Sequence, residues 1–220
     1  MIILEQKPYE EILKSLEGEE KVFLVGCTLC ATTCRVGGED ELKEMQEKLE
    51  KEGKKITGGV VLEAACQAIE VKKKFREKKS EIEDADSLLV LACGGGAQSV
   101  RENAERVKIK KLVHPGLNTL FQGEVTRGGH FEERCSLCGE CVLEQTGTIC
   151  PITRCTKGLL NGPCGGSSKG KCEVDQERDC AWDLIYKRLE EIGQLDKMKE
   201  IREAKNYSKL MKPRSLVLGR

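Results

Sequence analysis

Up to about residue 120 the chain alternates short apolar runs with stretches of helical period. Pro8 opens an amphipathic segment that continues through Leu16, and Lys21-Val-Phe-Leu-Val25 is an apolar run suited to a buried strand. Between Glu39 and Lys51, Leu42, Met45 and Leu49 recur at spacings of three and four among charged residues. That pattern predicts a helix, ended by Gly53. Ile56 to Leu62, interrupted by Gly58 and Gly59, reads as a weaker second strand, and Ala64 to Lys79 as a second helix. Ser87-Leu-Leu-Val-Leu-Ala92 gives a third strand. A helix from about Gln98 to Val107 and a short strand around Lys111 to His114 complete the series. Strands alternating with helices imply a parallel sheet covered on both faces, a small α/β domain of Rossmann or flavodoxin-like kind over residues 1–120.

From about Asn118 the pattern changes. Phe121 to Glu133 is turn-rich, with Gly123, Gly128 and Gly129. The stretch that follows holds Pro151, Pro163 and seven glycines and shows no sustained period. Its apolar content is too thin for a core, so it needs staples. Ala181 to about Asn206 becomes helical again, with Trp182, Ile185, Leu189 and Ile192 as an apolar stripe that docks on its own domain or, as the alternative, on a partner. Residues 121–220 therefore read as an irregular module closed by a C-terminal amphipathic helix.

Charge and composition narrow the classes. Lysine plus arginine and aspartate plus glutamate both number 37, so net charge offers no argument for nucleic acid or an anionic membrane. Aromatics at 4% supply few stacking platforms for single strands. The longest apolar runs, such as Leu88 to Cys93, are too short to span a bilayer. The N-terminal Met-Ile-Ile-Leu-Glu-Gln-Lys lacks the form of a signal peptide, and the expected compartment is the cytoplasm.

The staples are cysteines. In a reducing cytosol dense cysteine points to metal or catalysis, and thirteen is an odd number for a closed disulfide framework. With only His114 and His130 present, zinc sites would have to be mainly all-cysteine. Cys135-x2-Cys138-x2-Cys141 can wrap one corner of a cubane, because each sulfur on so short a loop reaches a different iron. Bacterial ferredoxins continue with x3-Cys-Pro; here eight residues precede Cys150-Pro151. Cys155, Cys164, Cys172 and Cys180 follow. The resulting eight thiols are what two four-cysteine [4Fe–4S] clusters require. A pair of four-cysteine zinc sites is the rival, and the third consecutive x2-Cys favours iron–sulfur. Which later cysteine joins the first three is not legible from their order.

Upstream, Cys27 follows the first strand within Cys27-x2-Cys30-x3-Cys34, Cys66 lies beyond the second strand and Cys93 ends the third. In a parallel sheet these positions share the carboxyl edge, where open α/β sheets bind ligands. Cys27, Cys30, Cys34 and Cys93 are expected to form a third metal site, with Cys66 as a fifth candidate and either a cluster or zinc as occupant. Gly94, Gly95 and Gly96 could cradle a phosphate-bearing cofactor at a helix N-terminus, or give room beside Cys93. His114-Pro115 could line the same crevice or form a capped turn.

With these residues placed, the chain resembles the small, cysteine-rich subunit of the two-subunit methylenetetrahydrofolate reductases of acetogen-type anaerobes, also described as a reductase C-terminal domain family. The resemblance runs from about Val25 to Leu189. It rests on Gly26-Cys27-x2-Cys30-x3-Cys34-x2-Gly37-Gly38, Leu91-Ala92-Cys93-Gly94, Cys135-x2-Cys138-Gly-x-Cys141, Cys150-Pro-x3-Cys155, Asn161-Gly-Pro-Cys164-Gly-Gly, Cys172-Glu-Val and Cys180-Ala-Trp182. It implies a subunit that carries iron–sulfur clusters, with zinc also reported. Such a subunit takes electrons from a donor protein and feeds the flavin of a separate barrel subunit that reduces methylene-tetrahydrofolate. A chain of 220 residues with these motifs has no room for a barrel of about 250 residues. Nor does it show a paired acid and base in one pocket, so no catalytic residue is assigned and folate chemistry is expected on the partner.

Overall fold

The computed structural model describes residues 1–216 as a mixed α/β chain that divides into two compact units, Met1–Phe121 and Gln122–Arg220. In the first unit the elements run β1 (Ile2–Gln6), α1 (Tyr9–Ser15), β2 (Lys21–Cys27), α2 (Cys30–Thr33), α3 (Glu39–Lys51), β3 (Lys55–Leu62), α4 (Ala68–Glu77), α5 (Lys79–Asp84), β4 (Ser87–Val90), α6 (Gly94–Arg106) and β5 (Leu112–Pro115). Strands β2 to β5 form a four-stranded, all-parallel sheet in the order β3-β2-β4-β5. Every residue of β4 is buried, as is β2 beyond its first residue. A sheet buried on both faces needs near-continuous apolar strands, and Val22-Phe-Leu-Val25 and Leu88-Leu-Val90 supply them. Leu42, Met45 and Leu49 of α3, Val71 and Phe75 of α4, and Val100 and Ala104 of α6 complete the core.

The chain crosses from β3 on one side of β2 to β4 on the other. This is the reversal at which doubly wound sheets open a crevice beyond the carboxyl ends of their strands. The opposite edge is tied off by Asp86, whose carboxylate accepts the Glu20 and Lys21 N–H groups at 2.9 and 2.8 Å. His114 belongs to this stapling. It is buried on β5, and its Nε2 lies 3.1 Å from Glu19 Oε1, while Ser87 Oγ donates to the same carboxylate. The imidazole is therefore engaged with the residues that precede β2 and not with the cysteine crevice.

In the second unit an antiparallel hairpin leads into the cysteine-rich segment. Strand β6 (Leu117–Val125) pairs near its start with β1 and, from Gln122 onward, with β7 (Phe131–Cys135). Then come α7 (Pro151–Arg154) and α8 (Ala181–Glu191), with short 3-10 turns at Leu195–Lys199 and Tyr207–Leu210. Helix α8 is shorter than the apolar stripe predicts: Gly193, at φ 66°, ends it. Trp182, Ile185 and Leu189 are buried against Ile149, Leu159, Leu195 and Met198, whereas Ile192 stays exposed. No helix among the described residues is long and apolar enough to cross a membrane.

Candidate metal centres

The crevice of the first unit collects cysteines from three elements. Cys27 is the last residue of β2, Cys30 opens α2 and Cys34 closes it, and Cys93 caps α6. Cys27 and Cys34 are buried, Cys30 and Cys93 half-buried, and Cys66 exposed in the loop before α4. Burial pushes the Cys27 thiol above its ordinary value despite N–H groups from Ala65 and Leu29, and the nearby Cys30 and Cys93 raise it further. Burial likewise raises Cys34, whose Sγ faces Ile2 O at 3.8 Å, while Ile2 N–H points at Cys30 Sγ at 3.4 Å. Strand β1 thus lies along the thiols of α2. The Gly37-Gly38 pair has a steric cause: a Cβ on Gly37 would stand 2.3 Å from Leu91 O and 3.0 Å from the Ala31 Cβ. Only a bare backbone lets this loop close over the strand ends, where Gly37 O accepts the Cys27 N–H at 2.9 Å.

Gly94, Gly95 and Gly96 form the first turn of α6. Gly94 N–H donates to Thr119 Oγ1 at 2.8 Å and Gly96 N–H to Cys93 Sγ at 3.3 Å. Two of the three amides considered for a phosphate are therefore engaged within the unit, one of them on the cysteine itself.

In the second unit the eight cysteines sort into two fours. Cys135, Cys138, Cys141 and Cys150 line one pocket of about 440 Å³, together with Leu137, Val142, Arg134 and Arg214. Cys155, Cys164, Cys172 and Cys180 line another with Leu159 and Trp182, closing on a space of about 20 Å³. Among the described residues, no three histidine, cysteine or acidic side chains converge tightly enough to grip a single ion. Four thiols around one cavity is nevertheless the donor set that a four-iron cluster takes. The two sets meet at α7, a single helical turn with Cys150 before it and Cys155 after it, started by Pro151 at the position where proline is favoured.

The surroundings of the first pocket suit an anionic occupant. Gly139, at φ 75°, turns the Cys138–Cys141 loop beneath Lys209, whose Cβ would lie 3.1 Å from any Cβ there. Leu137 N–H points at Cys135 Sγ at 3.4 Å, and Arg214 holds Leu137 O at 3.0 Å. Desolvation raises the Cys138 thiol, but Lys205, the Glu140 backbone and Ser136 together outweigh it, and the thiol lies below its ordinary value. Cys172 is also lowered, by the N–H of Val174 first and then by Thr156 and the N–H of Asp175. Glu173 pairs with Lys157 and accepts from Cys164 Sγ at 3.4 Å. Trp182 is fixed over the second set by its Nε1–H bond to Leu159 O, 3.1 Å. Lys205, at the far end of the unit, carries no motif, and sequence reasoning missed it.

No curated protein and no solved structure matches the chain. A family model does match, over a stretch that contains all eight C-terminal cysteines, Trp182 and Lys205 but none of the five upstream cysteines. Residues 114–208 match the family model described as methylene-tetrahydrofolate reductase C terminal.

Proposed function

We propose that this chain is the electron-transfer subunit of a methylenetetrahydrofolate reductase system. In this reading it receives electrons from a donor protein and delivers them to the flavin of a separate barrel-type catalytic subunit. The observation that carries the proposal is the sorting of eight cysteines into two pockets of four, within a stretch matching a reductase-associated family. Cys135, Cys138, Cys141 and Cys150 would hold one [4Fe–4S] cluster, and Cys155, Cys164, Cys172 and Cys180 a second. Cys27, Cys30, Cys34 and Cys93, with Cys66 at the margin, would hold a third cluster or zinc.

Such clusters supply one-electron redox chemistry. The protein's own contribution is to hold the thiolates, to exclude water and to neutralise charge. Trp182, Leu159 and Ala181 cover one side of the second set, with Cys180 buried beneath them and Cys164 left exposed. Lys205, Arg134 and Arg214 bring cationic charge to the first.

The competing reading is a zinc-stapled scaffold. Cys155, Cys164, Cys172 and Cys180 around one narrow space are also the four-thiol set that a structural zinc takes. Iron, zinc and acid-labile sulfide counts on anaerobically purified protein separate the two. Electron transfer requires roughly eight to twelve irons with matching sulfide, from four irons per cluster, and loss of electron delivery in Cys138→Ala. Colourless protein holding zinc alone overturns it.

A further inference from the structure

We propose that Lys205 sets the reduction potential of the group held by Cys135, Cys138, Cys141 and Cys150, acting as a fixed positive charge on the Cys138 sulfur; this rests on the iron–sulfur reading above. Lysine is rarely buried without an anion, because an ammonium removed from water must be compensated. Lys205 is only 8% exposed. Its Nζ has two partners, Cys138 Sγ at 3.0 Å and the carbonyl oxygen of Glu140.

Neither partner is a carboxylate. The nearby Glu140 carboxylate is used elsewhere, accepting the Asn206 N–H at 2.7 Å and pairing with Lys209 at 3.2 Å. Among the described residues Lys205 makes no direct ion pair; the Glu140 carboxylate acts on it only through space, and the one side-chain atom its Nζ touches is the Cys138 sulfur. The ammonium is held there by the chain around it. Asn206 is anchored on Glu140 and caps Ser208 N–H at 3.0 Å.

Reduction adds one electron, and one negative charge, to a group that four thiolates already make anionic. A cation in contact with one of those sulfurs, shielded from water, favours the more negative state. Charge and hydrogen bonds at the sulfurs are the means by which proteins set such potentials. The second set has a weaker counterpart: Lys157 also reaches Cys164, but it is exposed to water and pairs first with the Glu173 carboxylate. Lys205 is thus a positioning and tuning residue, and it makes the two sets unequal, with the first the better electron acceptor.

The test is a redox titration of anaerobically prepared protein, with dithionite as reductant and followed by electron paramagnetic resonance. It compares wild type with Lys205→Met, Lys205→Gln and Lys205→Arg at equal iron and sulfide content. The expected result is that one potential of the set moves to a more negative value in Met and Gln, stays near wild type in Arg, and leaves the others unmoved. Gln keeps a hydrogen-bond donor without the charge, so a Gln variant behaving as wild type overturns the charge argument. Unchanged potentials in both neutral variants overturn the proposal while leaving the iron–sulfur reading intact. Loss of one cluster's iron in both neutral variants marks Lys205 as a structural support and also overturns it. Wild-type protein with zinc and no sulfide overturns both readings at once.

Discussion

Replacing Trp182 by alanine should loosen the second unit more than any other single truncation outside the cysteines. The indole is 6% exposed and packs with Ile185, Leu189, Leu159 and Cys155. A buried tryptophan removes about 150–250 Å² from water. At about 25 cal/mol per Å² that is ~4–6 kcal/mol, an upper bound because an unfolded chain already hides part of its surface. Measured truncations of large aromatics cost about 3–5 kcal/mol. The Nε1–H bond to Leu159 O contributes about 1 kcal/mol of this. Trp182→Phe, which keeps most of the apolar contact, should therefore cost only about 1–2 kcal/mol. The assay is urea unfolding followed by circular dichroism at matched metal content, since a bound metal shifts apparent stability by mass action. Amide hydrogen exchange in parallel should show faster exchange along α8 and unchanged protection in β4 of the first unit. Phe and Ala variants of equal stability would refute the packing argument and make the hydrogen bond the whole effect. An alanine variant within about 1 kcal/mol of wild type would show that the metal-bound module does not depend on this core.

Trp182 is also the only tryptophan and lines the second four-cysteine pocket; on the proposed iron–sulfur reading, a chelator that removes iron should raise its fluorescence severalfold, and unchanged emission as the iron leaves would contradict that reading. Gly37→Ala forces a methyl to 2.3 Å from Leu91 O. A cost of about 1–3 kcal/mol in denaturant unfolding is expected, with reduced metal retention at Cys27 and Cys93; wild-type stability would show that the loop shifts freely. Hydrogen bonds from the Lys21 and then the Glu20 N–H hold the Asp86 carboxyl below its ordinary value. A depressed carboxyl contributes stability that is complete above the unfolded value of about 3.9 and is lost as pH falls through the folded one. Asp86→Asn should therefore be less stable than wild type near neutrality, with the gap closing in acid; a gap independent of pH would exclude the carboxylate as its cause.

The parallel sheet was legible because its strands are buried on both faces and so read as unbroken apolar runs. Placing Cys27 and Cys93 at the strand ends followed from that. Strand β1 was missed because Ile2-Ile-Leu4 is short and pairs with β6, more than a hundred residues away in sequence. The β6–β7 hairpin was hidden by glycines and by acidic residues on an exposed strand. Helix α4 starts later than its periodicity suggests, because Glu70 reaches back to the N–H groups of Glu63 and Ala64 and holds them in a turn. Helix α6 starts earlier, since Cys93 caps three glycines whose intrinsic propensity argues against a helix. The eight C-terminal thiols were countable from sequence, but their division needed the path of the chain between them. Lys205 left no trace at all: one lysine among many becomes distinctive only once its surroundings are known to be dry.

The turn α7 has a consequence of its own. Because Cys150 precedes it and Cys155 follows it, one thiol of each group is joined to the other by a single helical turn, about 7–8 Å of backbone rise. Docking, salt and the identity of the partner cannot lengthen it. That separation is therefore set within the chain itself, and an insertion of two residues into Pro151–Arg154 would lengthen it without touching a single cysteine.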